Sequence, residues 1–438
     1  MVEPAGGIVG RTMTRRIWRE GVWVAAGQVA SALAGFASLK LLTTLLTVKD
    51  YGRFVLVFGL VVLGTGLVIG PILQAVLRFY PEAVVAGSVG ALRRLSFDRI
   101  VKGAAILSVA LIGGGLIWRL AISSTIPLAA YALAAAFIAA DAVRGLEVSL
   151  LNGARRQRDQ AIRSVADAFA RPLLAVAALV ALGAGPSQAL LGYVVGSVLV
   201  SLALRNRTVR GEDAPSRGQD DPWIVANRGA FLSYALPLVP LAALNWVMSL
   251  GDRYVLAAIT GASAVGTYAA AYALASQPII AANALIHTTL RPVLYDAVAS
   301  GDRAKERRVL RVWLAVAAAL AASGTAAYIV LAPWLTRVVL GPMFGDVIPL
   351  LPWIACAYGF QAVQQTFEIM MYAHGQTRRL MALQAVAAVA AVIAYFVLIP
   401  RYGALGAAWG TLATIVVTSA TGAVMASAPR RIMGTGGA

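Results

Sequence analysis

Apolar stretches long enough to cross a bilayer follow one another along almost the whole chain, and no other feature restricts its fold as much. A crossing helix needs about 20 apolar residues. Such stretches fall near 21–47, 54–79, 102–118, 126–151, 161–182 and 188–204, and again near 231–259, 265–290, 309–331, 347–372, 380–399 and 404–426. In hydrocarbon every backbone N–H and C=O needs an internal partner, so these segments fold as helices. Hydrophobic residues make up 60% of the 438 and charged ones only 13%, where a soluble domain carries about 25% charge. The chain is therefore expected to be an all-α polytopic membrane protein with about twelve transmembrane helices. Residues 1–20 are polar and basic and the first apolar stretch is of full length, so no cleavable signal peptide is expected.

The formal net charge of +18 would suit nucleic acid if it were clustered on a soluble domain. It is spread over short turns instead, and no nucleic-acid partner is expected. The distribution fixes an orientation. Arg11, Arg15, Arg16 and Arg19, the turn Arg155, Arg156 and Arg158, the pair Arg378 and Arg379, and Arg430 with Arg431 fall on one side; Lys49, Arg53, Arg119, Arg337 and Arg401 fall on the other. The positive-inside rule then places both termini in the cytoplasm. The longest hydrophilic connection, 205–230, mixes both signs and reads as a cytoplasmic linker between an N-terminal six-helix lobe, 1–204, and a C-terminal one, 231–438.

Two neighbouring segments, joined by Arg155 and Arg156, carry charge where hydrocarbon should be. Asp141, Arg144 and Glu147 stand on one and Asp167 and Arg171 on the other. At helical spacing each set forms a single stripe. An ionised group at membrane depth costs several kcal/mol unless it is paired or meets water. One reading is an internal ion-pair network that locks two helices together; the other is the wall of a hydrated cavity that holds an anion. Lys40 lies deep in the first span, and Asp252 and Arg253 lie in the seventh. Arg253 reads either as a partner of Asp252 or as a substrate contact.

The two halves echo each other. Lys40 precedes Asp50-Tyr51-Gly52 in the first half, and Asp252-Arg253 precedes Val265-Gly266-Thr267-Tyr268 in the second. Glu147 to Gly153 with Arg155 and Arg156 is echoed by Glu368 to Gly375 with Arg378 and Arg379. With an even number of spans per half, the repeats would be parallel, with a site between them near the midplane.

Leu46-Thr47-Val48-Lys49-Asp50-Tyr51-Gly52, Arg78-Phe79-Tyr80, Gly251-Asp252-Arg253-Tyr254-Val255-Leu256, Ala264-Val265-Gly266-Thr267-Tyr268 and Leu340-Gly341-Pro342-Met343-Phe344-Gly345 together carry a resemblance over nearly the whole chain. It resembles the polysaccharide or lipid-linked oligosaccharide flippases of the multidrug/oligosaccharidyl-lipid/polysaccharide exporter superfamily. The resemblance implies two pseudo-symmetric six-helix lobes around a central cationic cavity and alternating access in a bacterial cytoplasmic membrane. It also implies carriage of an undecaprenyl-pyrophosphate-linked glycan to the outer leaflet, with a polysaccharide polymerase and glycosyltransferases as candidate partners.

A pyrophosphate cargo needs cations that stay charged when buried, which makes Arg144 and Arg171 the first candidates for it. Lys40 and Arg253 would contact it at the outward end. Asp141, Glu147, Asp167, Asp252 and Glu368 are candidates for coupling or for ion pairs. His287 and His374 read as exposed turn histidines. No metal-ligand spacing and no phosphate-binding glycine loop is present, so no cofactor is expected. A proton or sodium gradient is left as the candidate energy source. Two other readings compete: a drug or toxin cation antiporter of the same superfamily, and a membrane glycosyltransferase or polymerase, which would need a sizeable outward loop that the sequence lacks.

Overall fold

The computed structural model describes residues 27–122, 126–207 and 221–427. Arg11, Arg15, Arg16, Arg19, Arg430 and Arg431, which set the expected orientation, lie outside the described residues, as do 208–220 of the hydrophilic connection and the Arg119 side chain. The helices are α1 (Gly27–Leu45), α2 (Val48–Gly64), α3 (Gly70–Val85), α4 (Val89–Ile122), α5 (Leu128–Gly153), α6 (Gln157–Leu182), α7 (Pro186–Ala203), α8 (Pro222–Ala235), α9 (Leu238–Thr260), α10 (Ala262–Ala299), α11 (Arg303–Val339), α12 (Leu351–Ala373) and α13 (Thr377–Ser427). No strand occurs among the described residues.

Eleven continuous helical stretches among the described residues are long and apolar enough to cross a membrane. Helix α13 runs for 51 residues, more than twice what a bilayer needs. It breaks at Gly403, whose φ of 57° and ψ of −128° are open to a residue without Cβ. Spans 380–399 and 404–426 are its two limbs, which brings the crossings to the expected dozen. The second crossing also has a discontinuity. Pro71 has no N–H to give, and a π-helical turn, Thr65–Ile69, absorbs the interruption between α2 and α3.

Sequence-local chemistry sets the other helix ends. Thr47 caps α2 by accepting from the Asp50 N–H at 3.1 Å. Asp221 caps α8 by accepting from the Trp223 N–H at 3.0 Å, and Asp302 caps α11 by accepting from Ala304 and Lys305. Helices α5 and α12 close alike. In α5, Ala154 N–H bonds Leu150 O, Arg155 N–H bonds Asn152 O and Arg156 N–H bonds Leu151 O; in α12, His374 bonds Met370 O, Gly375 bonds Tyr372 O and Gln376 bonds Met371 O. The left-handed residue is Arg155 in one, at φ 54°, and Gly375 in the other, at φ 65°.

By Cα packing the chain divides into two compact units, Met1–Trp246 and Val247–Ala438. In the first, α2/α3, α4 and α5 pack on one another and α6 lies along α7; in the second, α10, α11 and α12 pack on one another and α12 lies against α13. The second, third and fourth crossings of each half thus pack in the same order. The matching helix ends also fix the register. Arg155 corresponds to Gly375, so Glu147 corresponds to Phe367 and falls one residue from the expected match with Glu368, a rotation of about 100° on a helix. Arg144 and Asp141 correspond to Gln364 and Gln361, so the α5 charges are matched by neutral amides.

Candidate functional site

In the first unit α5 and α6 form a hairpin about the turn at Arg155 and Arg156, and this symmetry brings Asp141 and Arg171 to one level, halfway along each helix. Asp141 Oδ1 accepts from Arg144 Nε at 2.8 Å and from Arg171 Nη2 at 2.8 Å. Asp167 completes the group, with Arg144 Nη1 at 3.6 Å and Arg171 Nε at 4.0 Å. The Arg171 guanidinium also lies 5.1 Å from the centroid of the Phe137 ring, a cation–π contact. Neighbouring backbones hold this geometry. A Cβ at Gly196 of α7 would stand 2.9 Å from Arg171 Cα, and one at Gly145 would stand 2.9 Å from Leu73, just beyond the π-helical turn.

One helical turn away Glu147 Oε1 pairs with Arg93 of α4. Glu147 Oε2 is buried without a hydrogen-bond partner. Between these groups lies Arg163, 1% exposed. It donates from Nη2 to Leu204 O at 3.3 Å, and its Nε and Nη1 are buried without hydrogen-bond partners. Glu147 and Asp167 act on it electrostatically. Arg163 was not singled out from the sequence, although it stands four residues before Asp167 and eight before Arg171 on the same helix face. Among the described residues four guanidinium groups (Arg93, Arg144, Arg163, Arg171) therefore meet three carboxylates (Asp141, Glu147, Asp167), one positive charge more than negative. The side chain of Arg144 keeps 23% exposure against 15% for Arg171, so it is the more approachable of these two.

Lys40 lies half-buried on α1, its carbonyl accepting from Thr43 and Thr44. On the same helix the Ser38 hydroxyl is 3.2 Å from that of Tyr193 on α7.

In the second unit Asp252 is 2% and Arg253 6% exposed. Tyr268 donates to Asp252 Oδ2 at 2.6 Å and its hydroxyl is 3.2 Å from that of Thr411. Arg253 lies 4.3 Å from the Tyr272 ring centroid, donates to Ser249 O at 2.9 Å and keeps a long 3.9 Å ion pair with Asp252. Of the two sequence readings of Arg253, the pairing with Asp252 has a counterpart in this packing. Glu368 accepts at one oxygen from Gln364 at 3.0 Å and from Gln384 at 2.9 Å.

A cavity of about 350 Å³ between α10 and α12 is lined by Asn283, His287, Thr288, Tyr358, Gln361 and Gln365, with Ile279, Ile280 and Ala284. Asn283 donates to Gln365 at 2.6 Å, and His287 stands edge-on to Trp313 at 5.4 Å. The histidine is therefore part of a packed wall and not the exposed turn residue expected from its position. His374 differs too: its Nε2 is 2.8 Å from Glu306 Oε1. Among the described residues no cluster of metal-ligating side chains is present.

No curated protein matches the chain by sequence. Solved structures do match by fold. An inward closed form of the lipid II flippase MurJ aligns with a TM-score of 0.68 at 14% identity, over 92% of this chain and 86% of that one. An inward-facing multidrug resistance MATE family transporter of the MOP superfamily aligns with a TM-score of 0.64 at 16% identity, over 91% and 93%. A MOP superfamily transporter from Pyrococcus furiosus, whose binding pocket is described as of reverse polarity, aligns with a TM-score of 0.55 at 16% identity, over 92% of each chain. At such identities the likeness shows the fold alone, that of an all-helical integral membrane protein. The sequence profile described as polysaccharide biosynthesis protein matches residues 17–298, well over half of the chain, and the chain belongs to that family.

Proposed function

We propose that the protein flips a polyprenyl-pyrophosphate-linked oligosaccharide, of the undecaprenyl type, from the cytoplasmic to the outer leaflet of a bacterial inner membrane for polysaccharide assembly. The observation that carries this reading is the excess of guanidinium over carboxylate inside α4, α5 and α6. A buried surplus cation is costly unless an anion visits it, and guanidinium forks onto phosphate oxygens while keeping its charge. Arg144, the more exposed member, and Arg171 would take the pyrophosphate. Lys40 in the first unit and Arg253 in the second are further candidate contacts for the cargo. The amide-lined cavity on α10 and α12 offers neutral donors and acceptors of the kind that hydrogen-bond sugar hydroxyls. Alternating access of the two repeats would carry the head group across, driven by a proton or sodium gradient through one of the buried carboxylates.

The cation antiporter reading draws on the fold shared with multidrug transporters and on Glu368, a carboxylate held by two amides. The two readings part on cargo. Deleting the gene in its host should abolish surface polysaccharide and leave resistance to ethidium and other organic cations unchanged. Loss of resistance with surface polysaccharide intact would establish the antiporter instead.

A further inference from the structure

A second basic cavity lies away from the buried ion pairs, at the arginine-rich end of the first unit, where the start of α4 meets the start of α8. It has a volume of about 380 Å³ and is lined by Arg94, Leu95, Asp98, Arg99, Ile224, Val225 and Arg228. Arg94 donates to Asp221 at 3.0 Å, which ties α4 to the N-terminus of α8. Its Nε is nevertheless buried without a hydrogen-bond partner, and so is the Nε of Arg99, whose nearest carboxylate oxygen, on Asp98, is 3.8 Å away. Lys102 takes both oxygens of Asp98, at 2.8 and 3.0 Å. Among the described residues the site therefore keeps a net positive charge, with Arg94, Arg99, Lys102 and Arg228 against Asp98 and Asp221.

The apolar side chains around it decide what kind of anion it suits. Val225 on the cavity wall and Val101, about one turn along α4 from Asp98, are 68% and 45% exposed, while Leu95 and Ile224 are buried. A free phosphate ion has no use for exposed apolar neighbours. A lipid does, because its phosphate and its acyl chains stand at these two levels of a bilayer, and basic pockets between helices at this depth hold acidic head groups. We propose that this cavity binds the phosphodiester of an acidic phospholipid, with Arg94, Arg99 and Arg228 on the phosphate and an acyl chain along Val101 and Val225. The lipid braces α8 against α4, and does so whatever cargo the transporter carries.

The test uses the full chain purified in detergent and native mass spectrometry of retained lipid. Phosphatidylglycerol should be retained over phosphatidylcholine, and millimolar inorganic phosphate should not displace it. Arg99→Gln with Arg228→Gln should cut retention roughly tenfold or more, at about 1 kcal/mol for each basic residue lost, with an unchanged melting temperature in lipid-free detergent. If that double variant does not fold, Arg228→Gln alone, at an exposed residue, should still cut retention several-fold. Equal retention of both phospholipids, or undiminished retention by the folded variants, would overturn the proposal. Stoichiometric displacement of phosphatidylglycerol by undecaprenyl phosphate would assign the cavity to the carrier lipid and overturn it too.

Discussion

Arg171 of α6 donates to Asp141 of α5 at 2.8 Å, joining the midpoints of two antiparallel helices at a depth where neither charge could stand alone. Because Arg144 shares the same oxygen, the carboxylate restrains both candidate pyrophosphate ligands, and either arginine can leave it for a substrate without stranding it.

Asp141→Asn should lower stability by about 3 kcal/mol, the low end for a broken buried pair because Arg144 remains partly exposed. The melting temperature of detergent-extracted protein reads this directly. Asp141→Asn combined with Arg144→Gln should recover most of the loss and yet export no glycan. Full export by that stable double variant would show that these charges only hold helices together.

Tyr268→Phe removes the 2.6 Å hydrogen bond to the buried Asp252 carboxylate. A bond to a charged group is worth about 1.5–3 kcal/mol, so thermal unfolding should shift by that much, whereas Thr411→Val, which leaves the Tyr268–Asp252 bond in place and removes a 3.2 Å contact with the tyrosine hydroxyl and a bond to Ala407 O of its own helix, should cost less.

Gly192→Ala puts a methyl group 2.3 Å from the Ala175 backbone nitrogen and 2.4 Å from Leu174 O. These are backbone atoms on a neighbouring helix and cannot turn aside. Forced separation of α6 from α7 should cost about 1–3 kcal/mol and reduce export through displacement of Arg171. Gly113→Ala, with nothing within 4 Å of the new atom, is the matched control for expression and melting.

The two matching helix ends make a paired prediction. Arg155→Gly relieves a left-handed residue that carries a Cβ and should be neutral or stabilising by up to about 1 kcal/mol, while Gly375→Ala introduces that strain and should cost about 1 kcal/mol. Urea or thermal melts of the two variants should move in opposite directions.

The sequence made the α5–α6 charges visible because Asp141, Arg144, Asp167 and Arg171 interrupt apolar runs at helical spacing, and the basic turn at Arg155 folds the two stripes together. Arg163 lay on the same stripe, and its spacing of four from Asp167 was the signal. Its nearness to the turn concealed its burial, since a basic residue there ordinarily reaches solvent. The cavity on α10 and α12 had no such signal. Asn283, Gln361 and Gln365 are neutral and break no hydrophobic run, and only the packing of His287 on Trp313 shows that they line an interior. The dozen crossings were legible from length and apolarity alone. The one-residue offset between Glu147 and Glu368 was not, because register follows from the backbone bonds that end α5 and α12.

The most direct test of the account is the fraction of polyprenyl-pyrophosphate-linked glycan that a membrane-impermeant reagent reaches on intact spheroplasts of the host. Three strains should be compared: one with the chain, one without it, and one carrying Arg144→Ala with Arg171→Ala at normal membrane abundance. The account predicts that the reachable fraction falls to background in the second and third while the total pool of linked glycan rises. An undiminished reachable fraction in the strain without the chain would contradict it.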